Sequence, residues 1–564
     1  MIANVTASGE TLSIKGATTV DVFFDTETSY RYPDSDAWEA EIEKKLNNAV
    51  SQGFKKVRKD SIKDVTSLLG RADIDLGKSP DGLADVPTAQ RVLTARNELR
   101  DIQLSTLAWN YGRYLLVASS RNTDADIDLP SNLQGLWNNS TGSAWGGKWT
   151  ININTEMNYW PAGQTNLIEL QEPLFDLILK VAGPRGRKLA KDQYGCGGVV
   201  FHHNLDVWGD PAPTDNYKAS TMWPLGAAWL VQHLIDHYRF TGDKEFLRTT
   251  AYPFLVEVAE FYECYTFEWE GHLVTGPSVS PENSFFVPEG FTKAGNAETM
   301  DIAVEMDSQL IRDVLRGLLE AAKVLGIPDS DETVAKAKAF LPRLRPTQIG
   351  SYGQVLEWRQ EYKEQEAGHR HISPLYGLHP SDQFSPLVNS TLSDAAAVLL
   401  KHRVENGAGG TGWSVTWIAG MYVRLFDGDT AWDSIRKWYA KYPLHNLWNS
   451  DGGRKFQIDG NYGFTSALTE MLLQSHAHVV HLLPALPTTA FPKGSVKGLV
   501  ARGGFEVSIE WKDAKLKKAT IISKQGNNLA LRVADGKQFS VNGKKYTQPI
   551  KTKKGHRYVV EPHS

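Results

Sequence analysis

Two carboxylic residues, Glu282 and Asp459, lie in loops that contain little other charge. Glu282 stands in the segment 275–284, TGPSVSPENS, where two prolines and few charged neighbours indicate a rigid, mostly neutral loop. Such surroundings raise the pKa of a carboxyl group, and a raised pKa suits a general acid at neutral pH. The alternative interpretation is a glutamate that follows a proline in an ordinary turn.

Asp459 follows a short apolar stretch in the segment 456–463, FQIDGNYG. An aspartate that precedes a glycine is typical of a turn, and that alternative stays open. In the other interpretation, Asp459 is a second carboxylate that works opposite Glu282.

Two asparagines, Asn152 and Asn154, alternate with isoleucines in the segment 151–161, ININTEMNYWP. If this segment is extended, both side chains point to one face, and two amides can hold a water by donating and accepting hydrogen bonds. A polar edge strand or a set of helix caps is the alternative. Glu156 is a rival acid, although a glutamate at the start of a helix is favoured by the helix dipole alone.

This set of residue types fits the hydrolysis of a glycosidic bond. That reaction needs an acid for the leaving oxygen and a second group that supplies the nucleophile from the opposite face. The loops 202–210, HHNLDVWGD, and 368–373, GHRHIS, offer histidines that could bind a metal. No helical motif of a metal hydrolase accompanies them, so we predict contacts to sugar hydroxyls, with no metal and no cofactor.

The elements that must position these loops are predominantly helical. Apolar residues at three- and four-residue spacing predict helices between about residues 88 and 478, separated by long loops rich in Asn, His, Trp, Gly and Pro. The clearest helical segments are 91–120, 223–240, 244–264, 308–325, 393–403, 414–426 and 430–441. Paired helices with functional loops gathered at one end predict an (α/α)6 toroid.

The flanking regions have a different periodicity. Residues 1 to about 30, including the segment 18–24, alternate apolar and polar side chains and predict short strands, and a charged helical region follows from 36 to 69. Alternation returns after residue 479 and is clearest in 503–511. We therefore predict a mainly α protein with three domains, which are a β remnant and helical linker (1–87), a catalytic domain (88–478) and a C-terminal β domain (479–564).

The amino-acid composition argues against some classes of binding partner. The 564 residues carry a formal net charge of −4 and no basic run, which argues against a nucleic-acid or membrane-surface partner. The chain has 17 Trp, 20 Tyr and 21 Phe, whose flat faces suit sugar rings as well as a large core. With only Cys196 and Cys264, a disulfide framework is excluded, and one disulfide or two buried thiols remain possible.

Several of these motifs, in this order, resemble glycoside hydrolase family 95, the inverting α-1,2-L-fucosidases and α-L-galactosidases. The likeness runs from about residue 20 to about 515. The matching segments are 132–138 (NLQGLWN), 150–161, 202–210, 221–225 (TMWPL), 276–284, 368–378 (GHRHISPLYGL), 410–414 (GTGWS) and 456–463.

The resemblance implies an (α/α)6 catalytic barrel between β domains and a glycan substrate with terminal α-L-fucosyl or α-L-galactosyl groups. It implies that Glu282 is the general acid, that Asn152 and Asn154 activate the water, and that Asp459 polarises those amides and assists as the base. The family also implies secretion and a large N-terminal β-sandwich, of which this chain is expected to hold only the last strands, as a shortened member without a signal peptide.

Position 150 departs from the family pattern. Fucosidases of the family commonly carry a histidine two residues before the first asparagine of the pair, where this chain has Thr150. A shorter hydroxyl side chain leaves room for the 6-OH that distinguishes L-galactose from L-fucose, so we expect measurable α-L-galactosidase activity. The other predicted substrate-binding residues are His203, Trp208, Trp223, His371 and Trp413.

Two alternatives belong to other functional classes. A polysaccharide lyase can use the same barrel, but lyases of acidic glycans favour a basic cleft, and these loops are not basic. A sugar-binding protein without turnover is the second alternative.

Overall fold

The computed structural model describes residues 4–32, 34–80, 82–123 and 126–563, and two compact units divide between Gly70 and Arg71. The first unit contains a two-stranded antiparallel hairpin and two charged helices. Its elements are β1 (Asn4–Ser8), β2 (Thr11–Lys15), α1 (Ser35–Gln52) and α2 (Phe54–Leu69). The predicted helical region over 36–69 is confirmed as these two helices.

The predicted strand over 18–24 is wrong. No strand of the described residues pairs with this segment, and the side chains of Val22 and Phe24 are each 83% exposed. An alternating pattern forms a strand only where a neighbouring strand satisfies its backbone hydrogen bonds.

The second unit is mainly helical. Its α-helices are α3 (Thr88–Ala95), α4 (Ile102–Ser119), α5 (Asn154–Gln164), α6 (Glu172–Asp176), α7 (Gly183–Tyr194), α8 (Lys218–Thr221), α9 (Gly226–Thr241), α10 (Lys244–Phe246), α11 (Tyr252–Tyr265), α12 (Glu305–Leu325), α13 (Glu332–Phe340), α14 (Ser390–Glu405), α15 (Gly412–Arg424), α16 (Gly428–Lys441) and α17 (Asp459–Leu472). Wider π-helical turns continue α6 into α7 and α10 into α11.

The predicted helix over 91–120 is two helices, α3 and α4. The break between them extends to Asp101, which immediately precedes α4. Its carboxylate accepts a hydrogen bond of 3.1 Å from Leu104 N and so caps the start of α4. The same carboxylate pairs with Arg91 of α3 at 2.7 Å. This buried ion pair fixes the turn that the apolar periodicity alone does not reveal.

Five helices of the second unit, α5, α9, α12, α15 and α17, begin on the side where the candidate site lies. α17 packs against α4, α5 and α15, while α9 packs against α5 and α12. At the start of α9, Gly226 N donates to Phe201 O at 3.0 Å, and at the start of α12, Asp307 accepts from Thr275 Oγ1 at 2.7 Å. Short strands support the loops at this end and hold them in place.

The second unit also contains strands, most of which are two or three residues long. They are β3 (Asp73–Asp75), β4 (Trp149–Thr150), β5 (Asn204–Leu205), β6 (Phe267–Trp269), β7 (His272–Val274), β8 (Ser278–Val279), β9 (Phe285–Phe286), β10 (Ala297–Glu298), β11 (Met300–Asp301), β12 (Lys363–Glu364), β13 (Leu473–Gln474), β14 (Val480–Leu482), β15 (Lys493–Ala501), β16 (Phe505–Lys512), β17 (Lys515–Ser523), β18 (Asn528–Leu529), β19 (Leu531–Val533), β20 (Phe539–Val541), β21 (Lys544–Lys545), β22 (Ile550–Lys551) and β23 (Arg557–Pro562).

The C-terminal region forms a seven-stranded sheet in the order β21-β20-β23-β17-β16-β15-β3. The alternating pattern predicted over 503–511 is confirmed as β16, whose residues Val507 and Ile509 point into the core. Strand β3 joins the edge of this sheet through Ile74, which pairs with Val496. Apolar side chains of the sheet and of α4, α16 and α17 share one core, which is why residues 71–564 form a single compact unit.

Within the described residues, no helix is both long enough and apolar enough to cross a membrane. Cys196, which follows α7, and Cys264 in α11 form a disulfide across 68 residues of chain, with their Cα atoms 5.7 Å apart. Of the two possibilities left open by the sequence, the structure therefore has the disulfide.

Removing this disulfide should lower stability. Closing a loop of 68 residues restricts the unfolded chain by about 4 kcal/mol in the chain-entropy account. The variant Cys196→Ser/Cys264→Ser should therefore unfold at a lower temperature than the parent protein in scanning calorimetry. Reductant should lower the parent's midpoint to that of the variant and leave the variant unchanged. Equal midpoints for the oxidised parent and the variant would contradict the prediction.

Candidate active site

Glu282 lies in the loop between β8 and β9, where its carboxylate meets two distant segments of the chain. Its Oε1 accepts a hydrogen bond of 3.0 Å from Asn152 Nδ2. Its Oε2 accepts one of 2.5 Å from Arg370 Nη2 and lies 3.6 Å from His371 Nε2. The loop 368–373 thus faces the same carboxylate as the amide of Asn152.

Opposing influences act on the proton of Glu282. Burial raises the pKa of this carboxyl group, while the positive charge of Arg370 and the hydrogen bond from Asn152 favour its ionised form. Burial prevails, and the pKa lies above its ordinary value. Because the side chain is still 14% exposed, the group can both hold a proton and reach a ligand.

A buried ion pair holds the loop that carries Glu282. The carboxylate of Glu357 accepts a hydrogen bond of 2.7 Å from Ser280 Oγ and one of 3.0 Å from Asn283 Nδ2. The guanidinium of Arg403, which has no exposed surface, pairs with the same carboxylate. Glu357 therefore fixes the residues on both sides of Glu282 and restricts where its carboxylate can lie.

The segment that carries the two asparagines is not extended, so the condition under which both side chains would point to one face of a strand is not met. Strand β4 ends at Thr150, Asn152 lies in a turn, and Asn154 is the first residue of α5. Trp149 and Thr150 pair with β5, and one further backbone hydrogen bond, from Ile151 N to His203 O, precedes the turn. The two amides reach the site from a turn and a helix start.

Asn154 connects this segment to Asp459, the first residue of α17. Asn154 Nδ2 donates to Asp459 Oδ2 at 2.5 Å, and Gly460 N donates to Asp459 Oδ1 at 2.7 Å. Burial raises the pKa of Asp459 to about 7, although both hydrogen bonds favour the ionised form. A carboxylate with this pKa exchanges a proton readily near neutral pH, as a base must.

The amide pair therefore joins two separate carboxylates. Each asparagine uses its nitrogen as a donor, Asn152 to Glu282 and Asn154 to Asp459. Asn152 Oδ1 is buried and has no hydrogen-bond partner among the described residues. A buried acceptor without a protein partner is the kind of group that a bound water molecule or hydroxyl group can satisfy.

Thr150 ends β4, and His203 immediately precedes the neighbouring strand β5. Thr150 is half-buried and pairs with Asn204, while Ile151 N donates to His203 O at 2.7 Å. His203 Nε2 lies 3.4 Å from the carboxylate of Asp215, whose charge also acts on Glu282. Burial lowers the pKa of His203 to about 4, so this imidazole is neutral at neutral pH.

The other predicted binding residues differ in their access to a ligand. His371 is buried beside Glu282 and packs edge-on against Trp413, with ring centroids 4.6 Å apart. Trp208 is 58% exposed. Trp223 lies in the core with no exposed surface, and its indole nitrogen donates to Asp307 at 3.2 Å, which makes it a support for α12 and not a pocket wall.

Glu156, the rival acid, lies within α5 and has no exposed surface. Burial raises the pKa of Glu156 well above its ordinary value, although backbone hydrogen bonds from Glu156 and Ile153 favour the ionised form. Glu156 is therefore a buried group in which the protonated form is favoured.

Three residues of this site lacked a clear signal in the sequence. Arg370 stands between His369 and His371. A cation in that loop is a natural partner for a catalytic carboxylate such as that of Glu282, and this is the signal that the sequence offers. Glu357 and Arg403 carry no local signal, because their role arises only when distant segments fold together.

The described residues contain no group of three or more His, Cys, Asp or Glu side chains arranged to bind a metal ion. His202, for example, uses its ring nitrogens for hydrogen bonds to Tyr194 and to the carbonyl of Thr221.

Comparisons with known proteins place this chain in a family. Residues 53–472 match the Glycosyl hydrolase family 95 catalytic domain, and residues 474–562 match the Glycoside hydrolase family 95, C-terminal domain. Alpha-L-fucosidase 2 of Arabidopsis thaliana is 36% identical over 478 residues, which cover 80% of this chain and 54% of that protein. Probable alpha-fucosidase A of Aspergillus niger (strain ATCC MYA-4892 / CBS 513.88 / FGSC A1513) is 31% identical over 490 residues, which cover 83% and 59% respectively.

The chain thus spans between half and three fifths of the length of these relatives. Among solved structures, a putative kojibiose phosphorylase from human microbiome matches 92% of this chain and 72% of its own with a TM-score of 0.55. At 11% sequence identity, that likeness concerns the fold alone. Since the catalytic-domain match covers most of the sequence, the chain belongs to glycoside hydrolase family 95.

Proposed function

We propose that the protein is an inverting exo-glycosidase that releases terminal α-L-fucose or α-L-galactose from an oligosaccharide or polysaccharide, with its site at one end of an (α/α)6 toroid. The observation that carries the proposal is the pair of hydrogen bonds from Asn152 to Glu282 and from Asn154 to Asp459. Two carboxylates joined through neighbouring amides suit an acid and a base that act on opposite faces of one sugar.

In this mechanism Glu282 donates its proton to the glycosidic oxygen as the bond between that oxygen and the anomeric carbon breaks. A water molecule held by Asn152 and Asn154 attacks the anomeric carbon from the other face, and its proton passes to Asp459. The products are the aglycone alcohol and a free sugar whose anomeric configuration is inverted.

The raised pKa of Glu282 suits a proton donor, and Asp459, with a pKa of about 7, is partly ionised at neutral pH. Glu282 must be protonated and Asp459 ionised at the start of the reaction. Arg370 Nη2 lies 2.5 Å from Glu282 Oε2. Its positive charge stabilises the carboxylate of Glu282 after the proton has left. Asn154 and Gly460 donate to the ionised form of Asp459.

We further propose that Thr150 gives the site room for the 6-OH of L-galactose. Thr150 is half-buried and precedes Asn152, which contacts Glu282, by two residues. The bond between Cys196 and Cys264 supports the additional proposal that the protein is secreted, because disulfides persist in oxidising compartments.

Removing either carboxyl group should abolish most of the activity. Glu282→Gln and Asp459→Asn should each lower kcat on an α-L-fucosyl substrate by a factor of about 10² or more, because the proton donor or the base is lost. The measurement is release of L-fucose under substrate saturation.

Glu289→Gln is the matched control, because Glu289 is an exposed residue beyond the same loop. It should keep the parental rate. The assignment is contradicted if Glu282→Gln and Asp459→Asn both retain that rate. A product that absorbs near 235 nm would identify a lyase, and sugar binding by the parent without turnover would identify a lectin-like protein.

Inversion can be tested separately. Proton NMR of the first product released from an α-linked substrate should show the β anomer, because water attacks from the face opposite the leaving group. Spectra must be taken before mutarotation mixes the anomers. An initial α anomer would rule out the inverting mechanism while leaving the substrate class intact.

Enlarging position 150 should change the preference between sugars. Thr150→His should lower kcat/KM for p-nitrophenyl α-L-galactoside, relative to the corresponding fucoside, by about tenfold or more, because the imidazole occupies the space of the 6-OH. Thr150→Val keeps the space and removes the hydroxyl, so it measures the hydrogen bond alone. If Thr150→His leaves the ratio of the two kcat/KM values unchanged, this part of the proposal fails.

A further inference from the structure

A cavity of about 740 Å³ lies at the opposite end of the helices from Glu282. Helices α9 and α12 begin at the candidate active site and end at this cavity, to which they contribute Arg239 and Lys323. The loop between β13 and β14 supplies His476, and the loop before β16 supplies Arg502. The cavity is therefore separate from the catalytic carboxylates, and its volume falls in the range of small-molecule sites.

Side chains of opposite charge form ion pairs along the wall of the cavity. Arg239 pairs with Glu320 at 2.6 Å, and both Arg239 and Arg502 pair with Asp236, at 3.1 and 2.7 Å. Although burial alone would raise the pKa of Asp236, these two guanidinium groups hold it below its ordinary value. Asp236 is consequently charged at neutral pH.

The formal charges of the lining cancel. Arg316 pairs with Asp382 at 2.8 Å and with Asp313 at 3.3 Å. The cations are Arg239, Arg316, Arg502 and Lys323, and the anions are Asp236, Asp313, Glu320 and Asp382. A charged ligand finds no net attraction here. A neutral ligand with many hydroxyl groups can donate to the carboxylates and accept from the guanidinium groups, because each group retains unused hydrogen-bonding positions.

His476 is a further polar group in the wall of the cavity. It is only 9% exposed, and both of its ring nitrogens are buried without a hydrogen-bond partner among the described residues. Burial lowers its pKa well below the ordinary value, so the imidazole is neutral. A neutral imidazole offers one donor and one acceptor to a hydroxyl group, and a half-turn of the ring about its Cβ–Cγ bond exchanges the nitrogen and carbon positions and so can bring the nitrogens to the cavity.

A smaller adjoining cavity of about 60 Å³ shares Asp236 and Arg502 with the first. Gln164 Oε1 and Gln171 Oε1 line it without hydrogen-bond partners in the described part of the chain. Its size suits a few water molecules. The volume of the larger cavity is greater by about an order of magnitude, which is more than a few water molecules need. The ring of Tyr238 forms part of its wall and is a surface on which a sugar ring can lie.

We propose that this cavity is a second, non-catalytic site that binds a neutral saccharide of one or two rings. Binding there needs neither Glu282 nor Asp459. It would hold a glycan at the end of the helices that adjoins the C-terminal sheet.

The test uses the full chain and three neutral disaccharides without α-L-fucosyl or α-L-galactosyl groups, namely lactose, cellobiose and xylobiose. Titration calorimetry should show one equivalent of at least one of them bound per chain at millimolar concentrations. Glu282→Gln should not change that binding. His476→Phe keeps a ring but removes both nitrogens, and it should weaken binding about tenfold or more.

His481→Phe is the matched control, because His481 is buried against Phe426 and lies outside the cavity. It should bind as the parent does. Asp382→Asn is a second cavity variant, used if His476→Phe does not fold, and it should also weaken binding. Hydrolytic activity should be unchanged in every correctly folded cavity variant, which separates this proposal from the catalytic one.

Three results would overturn the proposal. They are the absence of binding by all three disaccharides, binding that Glu282→Gln weakens and the cavity variants do not, and tighter binding of glucuronate than of any neutral sugar.

Discussion

The site depends on two hydrogen bonds that start only two residues apart. Asn152 reaches Glu282, 130 residues further along the chain, and Asn154 reaches Asp459, 305 residues further along. An amide nitrogen can only donate, so each carboxylate must present an acceptor oxygen to it. The turn between β4 and α5 therefore sets the relative positions of both carboxylates, and the loops and helices around it serve to hold that turn and its two partners.

The hydrogen-bond donors that surround the two carboxylates differ in charge. Glu282 has Arg370 at 2.5 Å and sits on a loop held by Glu357, whereas Asp459 has only neutral donors, Asn154 and Gly460. Burial raises both pKa values, but Glu282 alone has a cation to stabilise its charged form. That difference suits a group that loses a proton during the reaction and another that gains one.

Residue type and loop composition were sufficient to select Glu282, Asp459 and the two asparagines, and the structure brings these four side chains together, while their catalytic roles stay predictions. The periodicity predicted most helices and the strand β16. It failed where tertiary contacts decide the backbone, as at Asp101, which breaks a predicted helix. It also gave no signal for Glu357 and Arg403, because an ion pair between distant segments leaves no local pattern.

The common direction of five helices, α5, α9, α12, α15 and α17, helps to explain why the two ends of these helices differ in chemistry. Helix starts carry partial positive charge and helix ends partial negative charge, so carboxylates are favoured in the first turn and cations in the last. Asp307 and Asp459 lie in first turns, and Arg239, Lys323 and Arg424 lie in last turns. Asp459 faces only the neutral donors Asn154 and Gly460, whereas Asp236 is held in its charged form by two guanidinium groups. The end with Asp459 is therefore suited to chemistry, and the end with Arg239 is suited to recognition.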